Sequence, residues 1–505
     1  MTTRIHYDLI QKDVAQYYRY AMFSHRWEDN EPLFEKVIRI VVYDLEEAPT
    51  HMKLRMFCKI TRDAGLHWAW SDTCCINKAD HIVLQEALVA MFKWYQGSTV
   101  TIIFLRGVGS QSQRGAIMKS TWNTRAWTFQ EYHASKVVRF YTEDWTLYLN
   151  IDIPNHKDSP DIISEMEEAT GVSAQTLMAL RPGLDNIREK LCLASTRDAT
   201  LVEDAAYSLL GIFSTSLPVV YGEGDQALGR LLAKLLTSSG DTSILAWTGK
   251  SGSFNSCLPR DITVFSQLPT SHIPLPIASD DMQNTTAGMQ TPSILNLVMQ
   301  LYGRLHGLPV PSFSEQRMKL PCLTFELRRL SRDRSQSGRV FRATTDALGV
   351  VEIRTTEHLT HLDSLILVHP WIDFLLDRLP VTDDQSSSMS DLASPSRRSQ
   401  IRPTAPRTVA RRLIASLLTL SFGWRAAPPP PRRSETQADR QTEKALSSVA
   451  RLMQPFGALL FTPKRQNVPE YRRVAADASI TVQLREITPV VLDKLIQGVR
   501  VLDVL

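Results

Sequence analysis

VTIIFL, residues 100 to 105, is apolar at every position but Thr101. A strand buried on both faces reads this way, because helices cover each side of a parallel sheet and leave no solvent face. Three other runs of strand length accompany it: Tyr20 to Ser24, His67 to Ser71 and Val137 to Tyr141. Helical patterns lie between them. Asp80 is placed to cap a helix whose Leu84, Leu88, Met91 and Tyr95 fall on one face, with Gly97 at its end. A second helix over roughly His51 to Ala64 stops at Gly65, in the position of a C-terminal cap. Strands alternating with helices predict a parallel α/β sheet domain over residues 1–150.

The remainder divides by composition. Residues 151–245 read as a helical extension, with acidic side chains at Glu165, Glu167 and Glu168. Thr200 and Glu203 have the spacing of a capping box ahead of AAYSLLGIF. Asp225 is placed to cap a further helix, on which Leu228, Leu231, Leu232, Leu235 and Leu236 form a core-facing stripe. Residues 246–379 hold strand-like runs (LTFELR, GVVEIR, SLILVHP) and read as β-rich. Residues 380–447 carry serine clusters, PPPP and arginines, and are expected to be a disordered basic linker. Residues 448–505 regain pattern and are expected to pack on the β-rich region.

Composition excludes several classes. The 505 residues are 43% hydrophobic and 22% charged, as in ordinary globular proteins. A net charge of +4 gives no general attraction to nucleic acid or membranes. MTTRIHYDLIQKD lacks a signal-peptide core, and the apolar stretch Leu413 to Trp424 is too short to span a bilayer, so a cytoplasmic location is expected. Six cysteines include no CxxC pair, which argues against zinc and dithiol redox sites; reduced thiols, no metal and no resident cofactor are expected. GVGSQSQRG (Gly107 to Gly115) lacks the lysine–hydroxyl pair of a phosphate loop.

Ligands bind at the carboxyl ends of strands in open α/β sheets. The first strand ends in FSHRWED, placing Ser24, His25, Arg26 and Asp29 there; the second ends in WSDTCCINK, bringing Asp72, Cys74 and Asn77. After VTIIFL comes a loop, then RAWTFQEY, with Arg125, Trp127 and Glu131. Trp127 and Glu131 are four apart and share a helix face. The bland readings are a first-turn glutamate favoured by the helix dipole or paired with Arg125, a loop-capping Asp72, and small buried cysteines.

YAMFSHRW, WSDTCCINK with QEALVAMFKWY, and RAWTFQE resemble, in order, the three blocks of the fungal heterokaryon-incompatibility (HET) domain, over residues 20 to about 145. RDATLVEDAAYSLLGIFSTSLPVVYGEGDQALGRL resembles the segment that follows this domain in mushroom-type members. Ser71, Lys78 and Glu28 depart from the family's usual isoleucine, glutamine and glycine. FSHRWED, the buried strand, the serine-bearing loop and W-T-F-Q-E are also similar to Toll/interleukin-receptor (TIR) domains, with Thr128 in place of the usual cysteine. These resemblances imply a flavodoxin-like, TIR-related fold and a role in fungal non-self recognition and regulated cell death.

The TIR resemblance further implies cleavage of NAD+ as substrate, with Glu131 catalytic and Ser24, Arg26, Asp72, Arg125 and Trp127 contacting the dinucleotide. Nicotinamide–ribose cleavage passes through an oxocarbenium-like state that a carboxylate stabilises. A site walled by Trp127 would raise the pKa of Glu131, and arginine suits the pyrophosphate. The alternative is a non-enzymatic signalling module that self-associates or recruits death effectors, triggered by an unidentified upstream receptor.

Overall fold

The structure is a computed structural model describing residues 14–266, 286, 288–333, 339–357, 359, 365–371, 437–464 and 470–505. Four strands, β1 (Tyr20–Ser24), β2 (Trp68–Trp70), β3 (Val100–Leu105) and β4 (Val138–Thr142), form an all-parallel sheet in the order β2-β1-β3-β4. β1 and β3 are central, and nearly every residue of both is buried. β2 is shorter than the apolar run suggests. As an edge strand it leaves Trp68 largely exposed, and its aromatic residues satisfy strand propensity without demanding burial.

Helices cover the sheet because local chemistry starts and stops them as the sequence predicts. Helix α1 (Pro49–Asp63) ends at Gly65, whose φ of +73° is the left-handed value that favours glycine. The dipeptide Asp72–Thr73 opens a short helix, α2 (Asp72–Cys75). Asp80 Oδ1 accepts from the amides of Ile82 (3.0 Å) and Val83 (3.2 Å) at the start of α3 (His81–Gly97). α4 (Ala126–Ala134) follows β3 and its loop, and leads into β4. Almost all of α4 is buried, polar residues included.

The extension corrects three expectations. Glu203 does not close a capping box with Thr200; its carboxylate accepts instead from the amides of Gly222 (2.8 Å) and Gly224 (2.9 Å). Asp225 stands at the N-cap of its helix, but its carboxylate bonds Ser253, from the amide (2.8 Å) and the hydroxyl (2.7 Å). Both carboxylates take a distant partner in place of a local one. The acidic cluster is also divided. Glu165, on α5 (Pro160–Thr170), is fully buried and accepts from Ile117 N (2.7 Å) and the Tyr148 hydroxyl, while Glu168 pairs with Arg114 at the surface.

The leucine stripe on α6 (Gln226–Ser239) is core. It lies in one apolar cluster with Met22, Leu88 and Phe129 of the parallel-sheet half and Met318, Val368 and Phe461 of the β-rich half. In that second half, β5 (Ser312–Ser314), β6 (Arg317–Glu326), β10 (Ile366–Pro370), β11 (Phe456–Pro463), β12 (Glu470–Arg473), β13 (Ile480–Val482) and β14 (Val499–Val504) share one sheet. Pairing runs β6–β10–β11–β12–β14 and back to β6, so those strands close on themselves. The strands β7 (Arg329–Asp333), β8 (Val340–Thr345) and β9 (Gly349–Arg354) form a separate antiparallel sheet.

Most of the expected linker lies outside the described residues, but its last part does not. Residues 437–447 belong to helix α7 (Gln437–Leu452), which buries Ala445, Ser448, Val449, Ala450 and Leu452. An arginine-rich composition does not prevent a helix where one face is apolar. The stretch Leu413 to Trp424 also falls outside the described residues. Among the described residues no helix is long and apolar enough to cross a membrane.

Candidate functional site

Parallel strands send their carboxyl ends to one edge, and the edge of β1 and β2 gathers a polar cluster. Trp27, three residues past β1, donates its Nε1–H to Asp72 Oδ2 at 2.7 Å. The other carboxylate oxygen, Oδ1, lies 3.4 Å from His25 Nε2. Both of these facing atoms are buried, and they pair with each other. His25 is 2% exposed, and its ring stacks on Phe23 at 4.3 Å.

Two cations attend the indole. Lys78 Nζ lies 3.2 Å from the centroid of the Trp27 ring and the Arg125 guanidinium 5.2 Å from it, both within cation–π range. Arg125 also donates to the His25 carbonyl at 2.8 Å. On the opposite side of His25, buried Lys53 pairs with Glu28 (3.0 Å) and Glu31, and Glu31 approaches His25 Nδ1 at 3.6 Å.

The charges of this cluster follow from its neighbours. Burial opposes ionisation of Asp72, but the adjoining His25, the charge of Arg125 and the Trp27 N–H outweigh it and hold the carboxyl below its ordinary value. Burial lowers the pKa of His25, with Lys53 adding to the effect against Asp72 and Glu31. Burial likewise lowers the pKa of Lys78. The edge thus holds a carboxyl group whose neighbours favour its ionised form.

Glu131 sits one layer behind. It is 2% exposed, and its Oε2 accepts from Ser24 Oγ at 2.5 Å, while the Trp122 indole donates to that same hydroxyl at 2.7 Å. Burial and then the Asp72 charge push the Glu131 carboxyl up to about 8, against the opposing pull of Arg125, Ser24 and Tyr95. The Tyr95 hydroxyl donates to the Phe23 carbonyl at 2.7 Å, tying the same strand end to α3.

The structure therefore sorts the expected site residues into three groups. Asp72 and Arg125 come together at the edge, joined by His25, Trp27 and Lys78. Ser24 and Glu131 join each other behind it. Arg26 and Trp127 lie apart. The Arg26 side chain is exposed, and its backbone carbonyl accepts from Lys53. Trp127 packs in the apolar core beside Asp204 of the extension, so it is a core residue where a pocket wall was expected. Trp27 was legible only as part of YAMFSHRW. Nothing in the spacing marks Trp122 or Lys78, since their roles need strands and loops far apart in the chain.

The fold and site define the first half of the chain as a parallel α/β domain with a polar strand-edge cluster. Residues 20–116 match the family described as Heterokaryon incompatibility protein (HET). The chain carries a HET domain over those residues. It is similar to the Vegetative incompatibility protein HET-E-1 of Podospora anserina, with 31% identity over 231 residues, which is 43% of this chain and 16% of the relative. The chain thus spans less than a fifth of that relative's length. No solved structure matches the chain.

Proposed function

We infer that this chain acts in fungal heterokaryon incompatibility and regulated cell death through its HET domain, and that the strand-edge cluster is where it acts. The observation that carries this is the buried polar cluster at the strand edge, His25 Nε2 facing Asp72 Oδ1 at 3.4 Å beside two cations on one indole. A carboxylate, an imidazole and two cations are thus drawn together at the carboxyl ends of parallel strands, where such sheets bind ligands. The strand order β2-β1-β3-β4 is the opening of the flavodoxin-like order and is in keeping with TIR relatedness.

The chemistry proposed for this edge is cleavage of NAD+. Arg125 and Lys78 suit a pyrophosphate, Trp27 offers a face for a base, and anionic Asp72 suits a cationic ribose. Glu131 remains the second carboxyl of the reaction, acting through the Ser24 hydroxyl that separates it from the edge. The test is NAD+ consumption by the wild type, Asp72→Asn and Glu131→Gln over a protein concentration series, with folding checked by circular dichroism. Turnover by wild type and about a hundredfold loss in each variant is the expected result. Full turnover by a folded Glu131→Gln protein would remove Glu131 from the chemistry.

A second reading is supported by the near-complete burial of Glu131, whose carboxyl is engaged inside the protein. On that reading the domain is a non-enzymatic module that self-associates or recruits partners in the cytoplasm. Absence of turnover at every concentration, with concentration-dependent assembly in sedimentation, would favour it.

A further inference from the structure

Arg125 is the residue that links the edge cluster to α4, and a segment far beyond residues 20–116 grips it. Arg197 Nη1 donates to the Arg125 carbonyl at 3.2 Å and to Thr128 Oγ1 at 3.1 Å, and Nη2 donates to Asn123 Oδ1 at 3.4 Å. Its neighbour Asp198 brackets the same residue through the backbone. The Asp198 amide donates to the Thr124 carbonyl (2.5 Å), and the Asp198 carbonyl accepts from the Ala126 amide (2.8 Å). The extension meets α4 again where Asp204 lies beside Trp127, and the Tyr221 hydroxyl donates to that carboxylate at 3.0 Å.

The placement of Arg197 is electrostatically adverse. It is 8% exposed, so its charge is desolvated, and its described hydrogen bonds run to a carbonyl, a hydroxyl and an amide oxygen, none to a carboxylate. It also stands at the start of a helix, where the dipole disfavours a cation, with the Glu131 carboxyl and the Phe129 ring (5.3 Å) as partial compensation. Filling this space for packing alone would be better done by an apolar side chain. What a guanidinium adds is a rigid planar fork that meets several acceptors at fixed angles. Here those acceptors are the backbone and side chains that set where α4 begins.

We propose that Arg197 is a positioning residue for the strand-edge site, holding the start of α4 so that Arg125 reaches the His25 carbonyl and the Trp27 ring. The working unit of the HET domain then includes residues 197–204, contributed by the helical extension. The proposal rests on the reading that the strand-edge cluster is the acting site.

The test uses the full chain with Arg197→Met and Arg197→Lys, followed by amide hydrogen exchange and by NAD+ kinetics. In Arg197→Met the Ala126 amide is expected to exchange about tenfold faster while β3 keeps its protection, and Arg197→Lys to recover part of the difference. Where wild type turns over NAD+, KM should rise about tenfold in Arg197→Met, more than kcat falls. Unchanged exchange at Ala126, or acceleration spread equally into β3, would overturn the proposal. So would an unaltered KM in an active enzyme. If wild type has no turnover, the exchange result alone decides, so this proposal and the enzymatic reading fail separately.

Discussion

The strand-edge cluster and the join around Arg473 both bury charge, and they treat it in opposite ways. Arg473, at the end of β12 and 2% exposed, donates to the carbonyls of Leu245 (2.8 Å), Trp247 (2.7 Å) and Cys257 (3.4 Å), with its guanidinium 3.8 Å from the Trp247 ring. Burial lowers its pKa to about 10, which leaves it charged at neutral pH. Three carbonyls and a ring share that cation, and it stitches the helical extension to the closed sheet. At the strand edge, by contrast, His25 Nε2 and Asp72 Oδ1 pair at a long 3.4 Å. A buried charge held by several backbone carbonyls ties a fold together, whereas a loosely paired one contributes little to stability.

The sharpest test of that contrast is Arg473→Met. It removes three hydrogen bonds to a buried cation and leaves the Trp247 carbonyl without its donor, while the Trp247 amide and indole still serve Leu245 and Cys257; a loss of about 4 kcal/mol in unfolding free energy is expected from urea titration. A loss under about 1 kcal/mol would mean that the join is not held by this cation.

Glu131 makes an intermediate case with a definite sign. Its folded pKa of about 8 is above the ordinary carboxyl value near 4.3, so between those pH values the folded state keeps a proton that the unfolded chain has released. Its contribution to stability is therefore present at low pH and is lost as pH rises through about 8. The stability difference between wild type and Glu131→Gln should shift against wild type by on the order of 3 kcal/mol from pH 5 to pH 8.5. A difference that stays constant over that window would show that the carboxyl is ionised at neutral pH.

The smallest effect on stability is expected at the edge itself. Asp72→Asn keeps an acceptor for the Trp27 indole and removes a buried charge, so thermal unfolding should change by only about 1 kcal/mol. Function should suffer far more than stability there. A loss as large as that expected for Arg473→Met would erase the distinction between the two regions.

Much of the fold was legible because its signals are local. The buried run of β3, the cap at Asp80 and the stop at Gly65 each depend on residues within a few positions of one another. Glu203 and Asp225 misled for the complementary reason. Their spacing is that of local caps, but the fold brings Gly222, Gly224 and Ser253 close enough to compete for the carboxylates. Helix α7 shows the same limit at a boundary, since basic and polar composition hid an apolar face that tertiary packing uses.

By itself the sequence determined that parallel strands would alternate with helices, and it pointed to one sheet edge for a wider set that included Arg26 and Trp127 as well as Ser24, His25, Asp72, Arg125 and Glu131, because period and polarity at strand ends are properties of short stretches. Only the tertiary structure decided that Asp72 meets His25 and Trp27, that Glu131 lies behind Ser24, and that Arg197 grips the start of α4. Each of those contacts joins segments separated by a crossover or by a whole subdomain, and hydrogen-bond partners at that range are fixed by packing.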